Sequence, residues 1–238
     1  MKARPNISSD QALQQLMEGN QRYAASQLLH PHQSAERRTE VAQGQQPFAA
    51  VVGCSDSRVP PEIIFDRGLG DLFVTRLAGN LVDDLALGSL EYAVEHLGVC
   101  LIMVLGHKRC GAVAAAVEGG EAPGHIGHLL RAIEPAVMQV KNQPGDLLDR
   151  AIKINIARIV GRLRSSRPIL GKMIDEGQLK IVGAYYNLDN GKVFILPCLS
   201  FMEIENITIC LTPRSLSHSQ SFHYPHWSET HLTDLHLH

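Results

Sequence analysis

The sequence predicts an α/β fold: a central, mostly parallel β-sheet flanked by helices, with an N-terminal helical arm and an atypical C-terminal extension. Three observations point there. Short apolar runs ("FAAVVG", "DLFVTR", "CLIMVLG" and "KIVGAYY") alternate with longer stretches of helical period, the pattern of a parallel sheet with covering helices. Three of those runs end in polar loops, from Cys54, Arg76 and His107 onward, and ligands of open α/β sheets bind beyond the carboxyl ends of strands. The composition, 45% hydrophobic and 19% charged over 238 residues, is that of a folded soluble protein with enough chain for one large core or two small ones.

The elements follow in order. Ser9 to Ala25 place Leu13, Leu16, Met17 and Tyr23 at near-helical spacing behind a Ser/Asp cap, which predicts an amphipathic helix. "SQLLHPHQSAERRTEVAQGQQP" is polar and broken by prolines, so it reads as loop with one short helical piece. Residues 1–46 thus form the helical arm and residues 47–196 the α/β core. Within the core, "DDLALGSLEYAVEHLG", "CGAVAAAVEGG", "IGHLLRAIEPAVMQVK" and "DLLDRAIKINIARIVGRLRSS" are predicted helices. "YYNLDNGKVFIL" reads as a closing hairpin that turns at Asn190-Gly191.

Residues 197–238 are a different material and not an independent domain. They hold His218, His223, His226, His231, His236 and His238, several serines and threonines, and Trp227, without a long helical period. Accessory zinc binding there is conceivable, but the irregular histidine spacing favours a plain solvated extension.

Charge and cysteine usage exclude several classes. A formal net charge of −2, with only 5% aromatics and no basic stripe, predicts no nucleic-acid or anionic-membrane partner. The longest apolar run, "VCLIMVL", is far too short to span a bilayer. The N-terminus has no apolar stretch of secretory type. Five cysteines (Cys54, Cys100, Cys110, Cys198 and Cys210) are odd in number and sparse, which fits a reducing compartment, by default the cytoplasm, and not a disulfide framework.

Two fragments carry the chemistry, "CSDSR" from Cys54 to Arg58 and "GHKRCGA" from Gly106 to Ala112. Thiolate and imidazole are the preferred ligands of zinc, which takes four donors. Cys54, His107 and Cys110 supply three, and Asp56 can supply the fourth. His107 and Cys110 are read here as lying together at a helix start, on one side of the turn, where the helix N-terminus favours a thiolate. A single buried cysteine is ordinarily inert core, and a single Gly-His after a strand is ordinarily structural. Two strand-terminal loops with matched donors raise the metal reading above either fragment alone.

Asp56 on the metal would close the site, and a closed zinc site is structural. Arg58, two residues on, offers the carboxylate a bidentate alternative. The loop therefore reads as a two-state device, with Asp56 on the metal at rest and on Arg58 when working. The plain alternative is a surface salt bridge worth little in itself.

Together with "LMEGNQRY", "GDLFVTRLAGN" and "LGSLEYAVEHLGV", these fragments resemble the β-class carbonic anhydrases, whose signatures are Cys-x-Asp-x-Arg and His-x-x-Cys-Gly. The resemblance covers about residues 10 to 196. It implies a zinc enzyme that reversibly hydrates carbon dioxide to bicarbonate and a proton by attack of zinc-bound hydroxide, assembled as a homodimer or a dimer of dimers. It implies Cys54, His107 and Cys110 as permanent Zn(2+) ligands, and Asp56 and Arg58 as a dyad. In that dyad Asp56 either ligates zinc in a closed state or pairs with Arg58 in an open one, where it accepts the proton of the hydroxide. The backbone N–H of Gly111 is then the expected anchor for a substrate oxygen.

Some positions depart from the family. Val51 stands where some bacterial members carry a tryptophan of a bicarbonate site, although Arg76 matches another part of that site. Leu77 replaces an asparagine often seen in its segment. No proton shuttle stands out; His96, His125 and His128 are candidates by residue type alone. The alternatives that stay open are hydrolysis of carbonyl sulfide or carbon disulfide, a non-catalytic zinc-binding module, and a thiol redox sensor working through Cys198 or Cys210. A CO₂-concentrating microcompartment is the alternative location.

Overall fold

The computed structural model describes residues 7–197. Five strands, β1 (Ala49–Gly53), β2 (Leu72–Arg76), β3 (Leu101–His107), β4 (Lys180–Tyr186) and β5 (Val193–Ile195), form one sheet in the order β2-β1-β3-β4-β5. The pairings from β2 through β4 are parallel, and β5 closes the sheet antiparallel to β4. Every residue of β1 and β3 is buried, which explains why both read as unbroken apolar runs and not as alternating ones. From β1 the chain goes to β2 on one side, while β3 lies on the other. Strand order therefore reverses between β1 and β3, the place where α/β sheets leave a crevice at their carboxyl ends.

The helices are α1 (Ser9–Ala24), α2 (Ala35–Val41), α3 (Pro61–Ile64), α4 (Asp84–Leu97), α5 (Gly111–Glu118), α6 (Ile126–Val140), α7 (Leu147–Ser165) and α8 (Leu170–Asp175), with a 3-10 turn at Ala78–Asn80. Ile156 and Val160 of α7 lie over Gly183 of β4 on one face of the sheet. On the opposite face α1 sets Tyr23 Oη 3.1 Å from Tyr186 Oη. The helix α1 is capped one residue earlier than predicted: Ser8 and Gln11 form a reciprocal capping box. Its apolar stripe buries Ala12 and Leu16 completely. It passes so close to the end of α3 that a β-carbon at Gly19 would lie 1.8 Å from the Phe65 carbonyl oxygen. Buried Asn20 completes the seam, donating to the Ile64 and Gly191 carbonyls and accepting from Val193 N–H.

The predicted strands and long helices are present within a residue or two of their expected ends. The short helices α3 and α8 were not predicted, because four and six residues are too few to print a helical period. The hairpin turns through a longer loop than a two-residue Asn-Gly turn. Gly191 N–H reaches the Asn187 carbonyl, and the side chains of Asn187 and Asn190 accept from Asp189 and Lys192 N–H. Cys198, Cys210, Trp227 and the six histidines of the extension lie outside the described residues.

One buried carboxylate ties the N-terminal segment to the core. Asp66, whose side chain is 1% exposed, accepts from Arg22 Nε at 2.6 Å and from the N–H groups of Leu29 and His30 at 3.1 and 3.0 Å. Burial alone would raise its pKa, but the Arg22 guanidinium and the two N–H donors outweigh burial and hold it below the ordinary value. A carboxyl depressed in the folded state stabilises the protein above its unfolded pKa, and that stability is lost as pH falls through the folded one. Asp66→Asn is therefore expected to lower the unfolding free energy at pH 7 by about 3 kcal/mol. It should also flatten the loss of stability below about pH 4, both read from urea titrations over a pH series; unchanged curves would refute the anchoring role.

Candidate metal centre

The β1/β3 crevice holds the chemistry. Gly53 pairs with Leu105 across the two strands, so the residue that follows β1, Cys54, emerges beside the end of β3. His107 is the last residue of β3, and Cys110 is the N-cap of α5. The ligand atoms of Cys54, His107 and Cys110 lie within 4.8 Å of one another, and all three residues are buried. The expectation that His107 and Cys110 share a helix start is corrected: a turn separates them. Arg109, at φ +53°, reverses the chain so that a strand residue and a cap residue face the same point.

The donor set fits a tetrahedral cation. The two sulfurs are 3.9 Å apart, and two sulfurs each about 2.3 Å from one tetrahedral zinc would lie about 3.8 Å apart. His107 Nδ1 is 3.0 Å from the Lys108 carbonyl oxygen, which can only accept, so Nδ1 carries the ring proton. That leaves the lone pair on Nε2, a buried atom without a hydrogen-bond partner, 3.8 Å from Asp56 Oδ2. An orphaned imidazole nitrogen beside two sulfurs is what a metal would satisfy.

The two sulfurs are electrostatically unequal. A hydrogen bond from the Cys110 thiol, helped by the N–H groups of Asp56 and Gly79, outweighs burial and holds the Cys54 thiol well below the ordinary range. Sharing that proton, and then burial, pushes Cys110 up. A divalent cation would replace the shared proton and leave two thiolates.

Asp56 is paired with Arg58. Arg58 Nε donates to Oδ1 at 2.9 Å and Nη2 to Oδ2 at 2.7 Å, and Arg58 N–H adds a third bond to Oδ1 at 3.0 Å. This grip, more than any other influence, carries the carboxyl down to about 2. Arg58 also donates to the Arg109 carbonyl, which joins the two loops. Gly111 opens α5, and a β-carbon built there meets no atom within 4 Å.

Arg76 has a role that its residue type does not announce. From the end of β2 its guanidinium donates to the Cys54 and Asp56 carbonyls at 2.7 and 2.6 Å, fixing the backbone that carries both side chains. Val51 lies wholly inside the sheet, and Leu77 packs against the core while its backbone bonds to Gly53 and Ser55. His96, His125 and His128 are all exposed; His96 lies against Tyr92, and His125 stacks on His128 at the head of α6.

Comparison with known proteins bears on the same residues. A family model described as carbonic anhydrase matches residues 49–193. Carbonic anhydrase 2 of Mycobacterium tuberculosis strain H37Rv is 40% identical over 195 residues, covering 80% of this chain and 94% of its own. A carbonic anhydrase of Mycolicibacterium smegmatis is 40% identical over 193 residues, covering 79% of this chain and 94% of its own. Among solved structures, one from a study of two tetrameric β-carbonic anhydrases of Sordaria macrospora superposes with a TM-score of 0.66 at 27% identity, covering 79% of this chain and 98% of that one. The β-carbonic anhydrase of Coccomyxa in complex with acetazolamide gives 0.62 at 29% identity, over 77% of this chain and 86% of that one. By this similarity the chain belongs to the β-carbonic anhydrase family.

Proposed function

We propose that this chain reversibly hydrates carbon dioxide to bicarbonate and a proton, with Cys54, His107 and Cys110 holding zinc and Asp56 and Arg58 as the working dyad. The observation that carries this reading is the bidentate Asp56–Arg58 pair beside a two-sulfur, one-imidazole cluster. With Asp56 held by arginine, a metal bound by Cys54, His107 and Cys110 would keep a fourth position free, as a catalytic zinc site requires and a structural one does not. Zinc is the metal that suits two thiolates and an imidazole, and when bound it supplies a Lewis acid that lowers the pKa of water toward neutrality.

The chain's own residues do the rest. Asp56 stays ionised throughout the neutral range because Arg58 holds it down to about 2. It is therefore always a hydrogen-bond acceptor, able to accept from the attacking oxygen and so turn that oxygen's lone pair toward the carbon. Arg58 fixes the carboxylate plane through two parallel bonds, the working arm of the two-state loop. The N–H of Gly111, at the head of α5, would hold a substrate oxygen as charge develops on it. The side chain of Arg58 is half exposed, which leaves the dyad open to solvent for product exit.

The tetrameric relatives from Sordaria support a homodimer or a dimer of dimers for this chain as well. The three free thiols among the described residues, Cys54, Cys100 and Cys110, suit a cytoplasmic setting. No described helix is long and apolar enough to cross a membrane.

Arg58→Ala is expected to cut kcat/KM for hydration roughly 100-fold or more while zinc content stays that of the wild type. Arg58→Lys should recover only part of this, since an ammonium cannot make the bidentate grip. Full activity in Arg58→Ala would contradict the dyad. Cys110→Ala is expected to lower zinc affinity by roughly 10-fold or more in chelator competition, by removing one of three protein donors. Carbonyl sulfide assayed beside carbon dioxide should turn over more slowly; the reverse order would reassign the substrate.

A further inference from the structure

Away from the cluster, one buried polar side chain acts on the backbone that faces a cluster sulfur. Asn155 sits mid-way along α7, 2% exposed, with Ile152 and Ile156 of the same helix buried around it. An amide in so apolar a stripe is costly unless it is hydrogen-bonded. Its Nδ2 donates to the Gly79 carbonyl at 2.8 Å. Gly79 lies in the 3-10 turn after β2, and its N–H donates in turn to Cys54 Sγ at 3.2 Å.

That turn is held by contacts from outside it as well as by its own residues. Gly79 has φ +71° and Asn80 φ +47°, two successive residues in the left-handed region. Glycine and asparagine tolerate that region, and contacts from the surrounding structure select it here. Here the Asn80 N–H closes onto the Leu77 carbonyl at 3.0 Å, and Ile133 of α6 crowds Gly79, where a β-carbon would meet Ile133 Cδ1 at 2.8 Å. The third restraint is Asn155, which reaches the turn from a helix that gives no donor to the cluster.

We propose that Asn155 is a positioning residue for the metal: by holding the Gly79 carbonyl it fixes the turn that aims Gly79 N–H at Cys54 Sγ. The inference rests on the reading of the cluster as a zinc site. A hydrogen bond onto a thiolate is charge-assisted and directional, so it draws charge from the sulfur and orients the lone pairs left for the cation. Without Asn155 the turn can relax and that N–H swings away. Cys54 Sγ then keeps the Asp56 N–H, at a longer 3.4 Å, as its backbone donor. Groups that orient a metal ligand in this way typically account for a 10- to 100-fold change in metal affinity.

The test is zinc affinity of the full chain by chelator competition, alongside the thermal midpoint of the zinc-free protein. Asn155→Leu is nearly the same shape without the donor; Asn155→Ala serves if the leucine does not fold. Either is expected to weaken zinc binding roughly 10-fold or more. Asn20→Leu is the control, because Asn20 is an equally buried amide bonded only to Ile64, Gly191 and Val193. It should lower the thermal midpoint and leave zinc affinity as in the wild type. Wild-type affinity in both Asn155 variants, with the zinc-free protein merely less stable, would overturn this inference alone. A wild-type chain that holds no zinc would overturn the zinc reading and this inference with it.

Discussion

Parallel pairing of β1 with β3 is the constraint from which the site follows. The donors sit on two loops far apart in the chain, and neither loop alone offers a cation enough. Both strands are buried on both faces, so desolvation and backbone hydrogen bonding together fix them as neighbours. Their register sets Gly53 against Leu105, and Cys54 and His107 then leave the sheet at one level. A slip of one residue would turn every side chain of one strand to the opposite face and separate the sulfur from the imidazole. The reversal of strand order between them opens the space into which both loops turn.

Charge balance governs what those loops do. Two thiolates and an imidazole neutralise a divalent cation, so a further carboxylate would make the site anionic. Arg58 gives Asp56 a better partner, and the backbone around it is itself pinned: Arg76 grips the Cys54 and Asp56 carbonyls, and Arg58 reaches the Arg109 carbonyl across the crevice. The two sulfurs lie 3.9 Å apart, within reach of one ion. Any ion that binds the folded state and not the unfolded one therefore also stabilises the fold.

The donors were legible in the sequence because their chemistry belongs to residue type: Cys54, Asp56, Arg58, His107 and Cys110 announce metal binding and carboxylate pairing wherever they are brought together. The strands were legible because full burial demands long apolar runs, as in "CLIMVL". What stayed hidden works through backbone carbonyls and N–H groups, which have no letter of their own. Arg76 reads as an ordinary cation until its two carbonyl partners are seen, and Asn155 reads as a polar interruption of an apolar helix face. The turn at Arg109 was missed for the same reason: its positive φ serves the convergence of His107 and Cys110 and leaves no glycine as a marker.

In the proposed function, Asp56 works paired with Arg58 and not as a metal ligand across the neutral range. Stopped-flow carbon dioxide hydration from about pH 6.5 to about pH 9, with zinc quantified on the same samples, tests it most directly. The account predicts about one zinc per chain throughout, and activity that declines toward low pH no more steeply than the loss of a single proton requires, with measurable turnover at the acidic end. A zinc-loaded protein whose activity collapses steeply below about pH 8 would mean that Asp56 moves onto the metal there, and would contradict the account.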